Sequence, residues 1–155
     1  MRIRAAMTAT FGLLSIVAAC SSSTEPRKES ELSAVPTSIA VDGEAVELTT
    51  RAYRDFMPPT PLDGAPLYVS VSLPDHLTDI SVDRLWILYG DEVWEPAVEP
   101  TQRTDEWRWR AGGIPPWWPG ESPEVKTIEV VVEVRDQSGN QFRVRDAEVT
   151  VGWVW

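Results

Sequence analysis

From about residue 37 onward, apolar and polar residues alternate with a period of two. The clearest runs cover residues 67–73, 128–134, 142–144 and 149–155, and a weaker run covers 46–52. Successive side chains of a strand point to opposite faces of a sheet, so each run predicts a strand with one apolar face. No window of similar length has a 3.6-residue apolar repeat, and 13 prolines interrupt most helices. The alternation therefore restricts this region to an all-β fold.

Turn residues separate several of these runs. Residues 136–140, which read Asp-Gln-Ser-Gly-Asn, join two alternating runs and predict a hairpin in which the strands of Val132 and Val144 are antiparallel neighbours. Gly90 and Asp91 predict a second hairpin between residues 85–89 and 92–94.

Short strands with one inward face each favour two packed antiparallel sheets. In size and strand pattern, residues 37–155 resemble an immunoglobulin-like or fibronectin-type sandwich. The resemblance implies that Trp86 is the central core tryptophan. The sandwich disulfide of antibody domains is absent, because the chain has one cysteine.

The first 20 residues have the organisation of an export signal. Arg2 and Arg4 precede an uncharged, largely apolar stretch from residue 5 to residue 19. That stretch is shorter than the roughly 20 residues of a membrane-spanning helix. A basic start, an apolar stretch and small residues before a cleavage site are typical of a secretory signal peptide.

The end of this segment, Val17-Ala18-Ala19-Cys20, resembles the lipobox of bacterial lipoproteins. The motif has an aliphatic residue, two small residues and a cysteine whose thiol receives the lipid. The resemblance implies cleavage between Ala19 and Cys20 and a membrane anchor on Cys20. Ser21 stands where an aspartate tends to retain Gram-negative lipoproteins in the inner membrane, so the resemblance implies the outer membrane.

The predicted organisation is a signal peptide over 1–19, a lipidated cysteine and flexible tether over 20–36, and a β-sandwich domain over 37–155. Residues 21–36 are rich in Ser, Glu, Lys and Arg and have almost no large apolar side chains. As a fully extended chain the tether reaches about 55 Å.

Charge and composition exclude several function classes. The chain has 14 basic and 24 acidic residues, and removal of Arg2 and Arg4 with the leader leaves a side-chain charge of 12 − 24 = −12. Such a chain repels phosphate backbones, so we expect no nucleic-acid partner. One cysteine and one histidine cannot form an internal disulfide or a Cys/His metal cluster, and we expect no cofactor and no metal.

The chain has eight tryptophans, which fall into two groups. Six lie in strand-like runs and are predicted to fill the core: Trp86, Trp94, Trp107, Trp109, Trp153 and Trp155. Trp117 and Trp118 lie instead in a loop rich in proline and glycine. Adjacent loop aromatics either contact a ligand or cap the open end of the sandwich, and these two are the candidate binding residues.

No catalytic pattern surrounds His76, the single imidazole, and the carboxylates near it are expected to be solvated. We therefore expect a non-enzymatic protein. Two function classes remain. The first is an envelope module that binds another protein or has a structural role. The second is a carbohydrate-binding module that uses the Trp117-Trp118 loop.

Overall fold

The computed structural model describes residues 26–41, 43–58, 64–75, 77, 80–101, 108–117 and 126–154, with side chains from residue 28 onward. The predictions for Cys20 and the leader, for Trp107, Trp118 and Trp155, and for His76 lie outside these residues. The described residues form one helix and ten strands: α1 (Pro26–Ser33), β1 (Ser38–Val41), β2 (Glu44–Glu47), β3 (Thr49–Asp55), β4 (Leu67–Ser72), β5 (Ser81–Tyr89), β6 (Glu92–Trp94), β7 (Val98–Pro100), β8 (Trp109–Gly113), β9 (Thr127–Arg135) and β10 (Gln141–Val154).

Eight strands are joined edge to edge in the order β6-β5-β9-β10-β3-β4-β8-β7, and β1 pairs with β2 in a small hairpin. The eight strands form two sheets that share β10. One contains β6, β5, β9 and the first part of β10, and the other contains the end of β10, β3, β4, β8 and β7. The sheets pack together around one apolar core, which confirms the all-β assignment.

The alternation of the sequence determines which side chains enter this core. Leu67, Val69 and Val71 of β4 have no exposed surface, and Val130 and Val132 of β9 face them from the other sheet. Both expected hairpins are present. Val144 lies opposite Val132 in the β9–β10 pair, and β5 pairs with β6 across the Gly90 turn.

Strand β10 joins the two sheets. Its first part is antiparallel to β9, its register shifts between Asp146 and Val149, and residues 151–154 then run parallel to β3. A bulge of this kind bends a strand and increases its twist, and this allows one strand to contribute to both sheets. The expectation of purely antiparallel sheets is therefore wrong for the β3–β10 pair. The other strand pairs of the described residues are antiparallel.

Helix α1 differs from the flexible coil expected over residues 21–36. Its sequence suits a helix, because proline is tolerated in the first turn and Glu29 lies near the positive helix N-terminus. The Ser33 hydroxyl donates to the Glu29 carboxylate over 3.1 Å. Leu32 and Val35 are buried against the outer face of the β5–β9 pair. Each such burial contributes about 1.5–3 kcal/mol, so packing holds a helix too short to be stable alone.

Trp86 lies under this helix and not between the sheets. In β5, Leu85 and Ile87 face the main core, so Trp86 and Leu88 point to the opposite face. Trp86 is 1% exposed because α1 covers it. The expectation of a buried Trp86 is confirmed, but its assignment to the sheet interface is wrong.

Candidate functional site

Three large apolar side chains are exposed within the described residues, and they lie at or just beyond the ends of β3 and β10. Met57 is 50% exposed, Trp153 is 43% exposed and Val154 is 36% exposed. The Phe56 amide donates to the Val154 carbonyl over 2.8 Å, which holds the segment after β3 beside the end of β10. We call Met57, Trp153 and Val154 the terminal patch. Exposed apolar side chains gathered at one end of a domain are candidates for an interaction site.

The described part of the Trp117 loop lies at the same end of the sandwich. Trp117 is half-buried and its ring stacks on Tyr89, with centroids 5.2 Å apart and planes inclined by 14°. The Lys126 ammonium donates to the Tyr89 hydroxyl over 3.1 Å, and the Lys126 carbonyl accepts from the Val151 amide over 2.8 Å. Tyr89, Lys126 and the end of β10 therefore connect the Trp117 stack to the terminal patch.

A buried cation lies beside Trp153. Arg54 is 2% exposed, its guanidinium donates to the Ala65 carbonyl over 3.3 and 3.4 Å, and it lies 4.9 Å from the centre of the Phe56 ring. Burial lowers the pKa of the Arg54 guanidinium. Because Arg54 is opposite Trp153 in the β3–β10 pair, the two side chains are neighbours on the same face of the sheet.

A second surface is a groove of about 370 Å³ on the outer face of β4, β8 and β7. We call it the Tyr68 groove, and its lining includes Tyr68, Glu99, Arg110 and Gly112. The Arg110 guanidinium lies 4.1 Å from the centre of the Tyr68 ring and donates to the Tyr53 hydroxyl over 3.2 Å. Glu99 is opposite Arg110 in the β7–β8 pair, yet the two side chains form no ion pair.

Gly112 gives the Tyr68 groove its shape. It is opposite Tyr68 in the β4–β8 pair, and a Cβ atom at Gly112 would lie 2.4 and 2.8 Å from two atoms of the Tyr68 ring. The ring therefore occupies the space that any other residue's side chain would fill. An aromatic ring that covers a strand glycine compensates for the packing that the glycine lacks.

A polar cluster beside α1 attaches the helix to the sheet. The Glu95 carboxylate accepts hydrogen bonds from Arg84 over 2.7 and 2.9 Å, from the Trp86 indole over 2.8 Å and from Lys28 over 3.1 Å. Partial burial raises the pKa of Glu95, but these hydrogen bonds outweigh it and bring the pKa below its ordinary value. Arg84 and Arg143 lie 4.7 and 5.1 Å from the Trp86 ring, so two cations flank it.

The tryptophans predicted to fill the core have different environments. Trp86 and Trp109 are buried, as expected, whereas Trp94 is only half-buried against the main core. The assignment of Trp153 to the core is wrong, since it lies near the end of the β3–β10 pair where the core has ended. For the predicted binding pair, the structure gives the position of Trp117 alone, and the binding role stays a prediction.

The exposed positions of Met57 and Val154 were not predicted from the sequence. Met57 follows a strand whose apolar pattern is weak, and nothing in its neighbourhood indicates exposure. Val154 did carry a signal: Trp153 and Val154 are consecutive apolar residues at the end of an alternating run, so one of them has to face outward.

Two further observations concern the described residues. In ranges 26–41, 43–58, 64–75, 77, 80–101, 108–117 and 126–154, no group of three or more His, Cys, Asp and Glu side chains is arranged to hold a metal ion. Across the same part of the chain, no helix is long and apolar enough to cross a membrane.

Comparison with known proteins finds no matching family model, no matching curated protein and no matching solved structure. Any functional proposal therefore depends on the residues of this chain and their arrangement.

Proposed function

We propose that this protein is a lipid-anchored protein of the bacterial cell envelope and that residues 37–155 form a non-enzymatic, immunoglobulin-like binding module. The resemblance of Val17-Ala18-Ala19-Cys20 to a lipobox supports the anchor, and the polar residues after Cys20 suit a segment that leaves a membrane surface. Ser21 favours the outer membrane over the inner membrane of a Gram-negative cell.

Two packed sheets, each with antiparallel neighbouring strands, support the immunoglobulin-like architecture. So does β10, which pairs with β9 in one sheet and with β3 in the other. A rigid sandwich of this kind suits binding, because its strands hold surface side chains in fixed positions.

The terminal patch is the observation that carries the binding function. Met57, Trp153 and Val154 come from two segments that a hydrogen bond holds together. Aromatic residues and methionine are enriched in the centres of interfaces. The Trp117 loop at the same end enlarges the aromatic surface.

Fractionation of cells tests the anchor. We expect the Cys20→Ala variant to be released into the soluble fraction or to remain an unprocessed precursor, whereas the parent resists high salt and dissolves in detergent, as a multiply acylated protein should. Ser22→Ala is the matched control, because it changes a nearby residue that the lipobox does not require. A Cys20→Ala protein that is matured and membrane-bound like the parent refutes the lipoprotein assignment.

A change of membrane tests the sorting. We expect Ser21→Asp to move the mature protein from the outer to the inner membrane fraction, while Ser22→Asp leaves it in the outer membrane. Equal distributions of the two variants contradict the assignment to the outer membrane.

Glycan binding is the second candidate function, and the Tyr68 groove is the observation that favours it. The Arg110 guanidinium, which lies over the Tyr68 ring, and the Glu99 carboxylate offer the donors and acceptors that sugar hydroxyls require. Titration with envelope glycans, followed by NMR, distinguishes the sites. Shifts that disappear in Arg110→Ala assign binding to the groove, shifts that disappear in Trp117→Ala assign it to the loop, and no shifts exclude this candidate.

A further inference from the structure

We infer that the outer face of β3, β4 and β8 binds an acidic glycan, a chain of sugars that carry carboxylate groups. This rests on the second candidate function, glycan binding at the Tyr68 groove, and names the chemical class of that glycan. Four side chains form the binding surface, which we call the Arg–Tyr face: Arg51, Tyr53, Tyr68 and Arg110.

Strand register places these four side chains on one side of the sheet. Arg51 is opposite Ser70, and Ser70 is opposite Arg110. Tyr53 is opposite Tyr68 in the neighbouring row. Residues opposite each other in paired strands point to the same side, and the residues that alternate with them in β4 are fully buried in the core. The Arg–Tyr face is therefore the outer one, and its two arginines are two strand spacings apart, about 10 Å between backbones.

Contacts join the Arg–Tyr face into one surface. The Arg51 guanidinium carbon lies 6.0 Å from the centre of the Tyr53 ring, and the Tyr53 and Tyr68 ring centres are 5.5 Å apart. The Arg110 guanidinium lies 4.1 Å from the centre of the Tyr68 ring and donates to the Tyr53 hydroxyl over 3.2 Å. These contacts hold the Arg110 guanidinium in place before a ligand arrives, which reduces the entropy lost on binding.

The positive charge of this face has no acidic partner. Elsewhere in the described residues, six basic side chains form ion pairs with carboxylates: Lys28, Arg84, Arg108, Arg135, Arg143 and Arg145. Neither Arg51 nor Arg110 forms an ion pair with a described residue, although Glu99 is opposite Arg110 in the β7–β8 pair. The Arg110 guanidinium contacts the two tyrosines instead. An unpaired positive surface on a chain of net charge −10 is suited to an anionic ligand.

Hydrogen-bonding geometry favours a carboxylate as that anion. A guanidinium has N–H groups on every edge of its planar fork, and the contact with Tyr53 uses one edge of Arg110. The remaining N–H groups can donate to both oxygens of a carboxylate. The Tyr53 hydroxyl accepts from Arg110 and keeps its own hydrogen to donate. A singly charged carboxylate suits this face better than a phosphate dianion, because Glu99 and the net negative charge of the chain repel the larger charge.

The Tyr68 groove beside Arg110 suits a sugar ring better than a peptide side chain. The groove has a volume of about 370 Å³. Besides Tyr68 and Arg110, the described residues that line it are small or acidic: Ala97, Glu99, Ala111, Gly112 and Gly113. These residues do not form the apolar pocket that an anchoring peptide side chain fills. The Glu99 carboxylate can accept a hydrogen bond from a sugar hydroxyl.

Calorimetric titration with two matched ligands tests the inference. The full chain is purified in a neutral detergent that contains no sugar. Oligogalacturonate carries a carboxylate on every ring, and its methyl ester has the same rings without the charge. We expect the ester to bind about tenfold more weakly or worse at low salt, and added salt to weaken the binding of the acid. Equal affinities for the acid and the ester overturn the inference.

Charge variants locate the binding surface. Arg110→Gln is expected to weaken oligogalacturonate binding by about tenfold, and Arg51→Gln by several-fold. Arg135→Gln is the matched control and should bind like the parent, because it removes the same charge from an exposed side chain in the other sheet, where Arg135 pairs with Asp83. Equal losses in Arg110→Gln and Arg135→Gln indicate a response to net charge and contradict binding at the Arg–Tyr face.

Further ligands distinguish this inference from the proposed function. If a neutral envelope glycan binds at the Tyr68 groove and oligogalacturonate does not, glycan binding stands and the acidic class alone is wrong. If no glycan of either kind binds, both are wrong. Inorganic phosphate that displaces oligogalacturonate at equal concentration identifies a phosphate site, and oligoglutamate that binds as tightly through Arg110 identifies an acidic protein segment as the partner. Either result overturns the assignment to an acidic glycan.

Discussion

Val130 and Val131 allow a test of the position of α1 that uses two identical side chains. They are consecutive in β9 and both have no exposed surface, but Val130 faces the core between the sheets and Val131 faces Leu32 of α1. Truncation to alanine removes the equivalent of two buried CH₂ groups at about 0.8 kcal/mol each. With the cavity that remains, each variant should lose about 2 kcal/mol of unfolding free energy.

The two variants should differ in their coupling to Leu32. Residues in contact show interaction energies of about 0.5–3 kcal/mol, whereas separated residues are additive within about 0.5 kcal/mol. Leu32→Ala releases part of the helix, and Val131→Ala then has less packing to lose. We therefore expect an interaction energy of about 1 kcal/mol between Leu32 and Val131, and additivity between Leu32 and Val130.

Urea unfolding of the parent, the three single variants and the two double variants measures both interaction energies. The purified domain with residues 21–36 included is the required sample, and equal m-values across the series show that the unfolding free energies are comparable. Additivity of Leu32 with both valines refutes the docking of α1 on the β5–β9 face. Coupling to Val130 instead of Val131 would mean that the strand faces are assigned the wrong way round.

Three further predictions follow from named contacts. Trp86→Ala should cost about 3–5 kcal/mol and leave the domain poorly folded by circular dichroism, whereas Trp117→Ala, alone or with Trp118→Ala, should cost less because Trp117 is only partly buried. Equal unfolding midpoints for Trp86→Ala and the double variant would show that the loop is a lid on the core. Because the pKa of Glu95 is lowered in the folded protein, its contribution to stability is fully present above its ordinary pKa of 4.5 and is lost as the pH falls through the lower folded-state value. The difference in unfolding free energy between the parent and Glu95→Gln should therefore shrink on acidification. A difference that stays constant with pH contradicts this role. Gly112→Ala should displace the Tyr68 ring and cost about 1–3 kcal/mol, and an unchanged urea midpoint contradicts the close approach.

Much of the sheet structure was predictable from the sequence. The period-two runs identified the strands of residues 67–73 and 128–134 and their core faces, and the turn at 136–140 correctly predicted the β9–β10 hairpin. These features are local, because alternation and turn chemistry act between residues that are near in the chain. The parallel β3–β10 pair was not predictable, since it depends on a bulge between Asp146 and Val149 that no turn residue marks.

The candidate site was predictable only in part. The sequence indicated that Trp117 is unusual, but the neighbours of the loop come from strands distant in the chain. The exposure of Trp153 was missed because alternation specifies the face of a side chain and not where the core ends. Near this end of the sandwich, the residue opposite Trp153 is Arg54, a buried cation and not an apolar core residue.

By itself, the sequence determined the all-β class, the positions of its main strands and hairpins, and the inward faces of those strands, because hydrophobic periodicity and turn preference are local properties. The tertiary structure alone decided which faces are covered and which are left open. It placed α1 over Trp86, so the outer face of β5 and β9 became a second apolar cluster, and it brought the segment after β3 beside the end of β10. These contacts join segments far apart in the chain, and their formation depends on complementary shape and on which side of a sheet is already occupied.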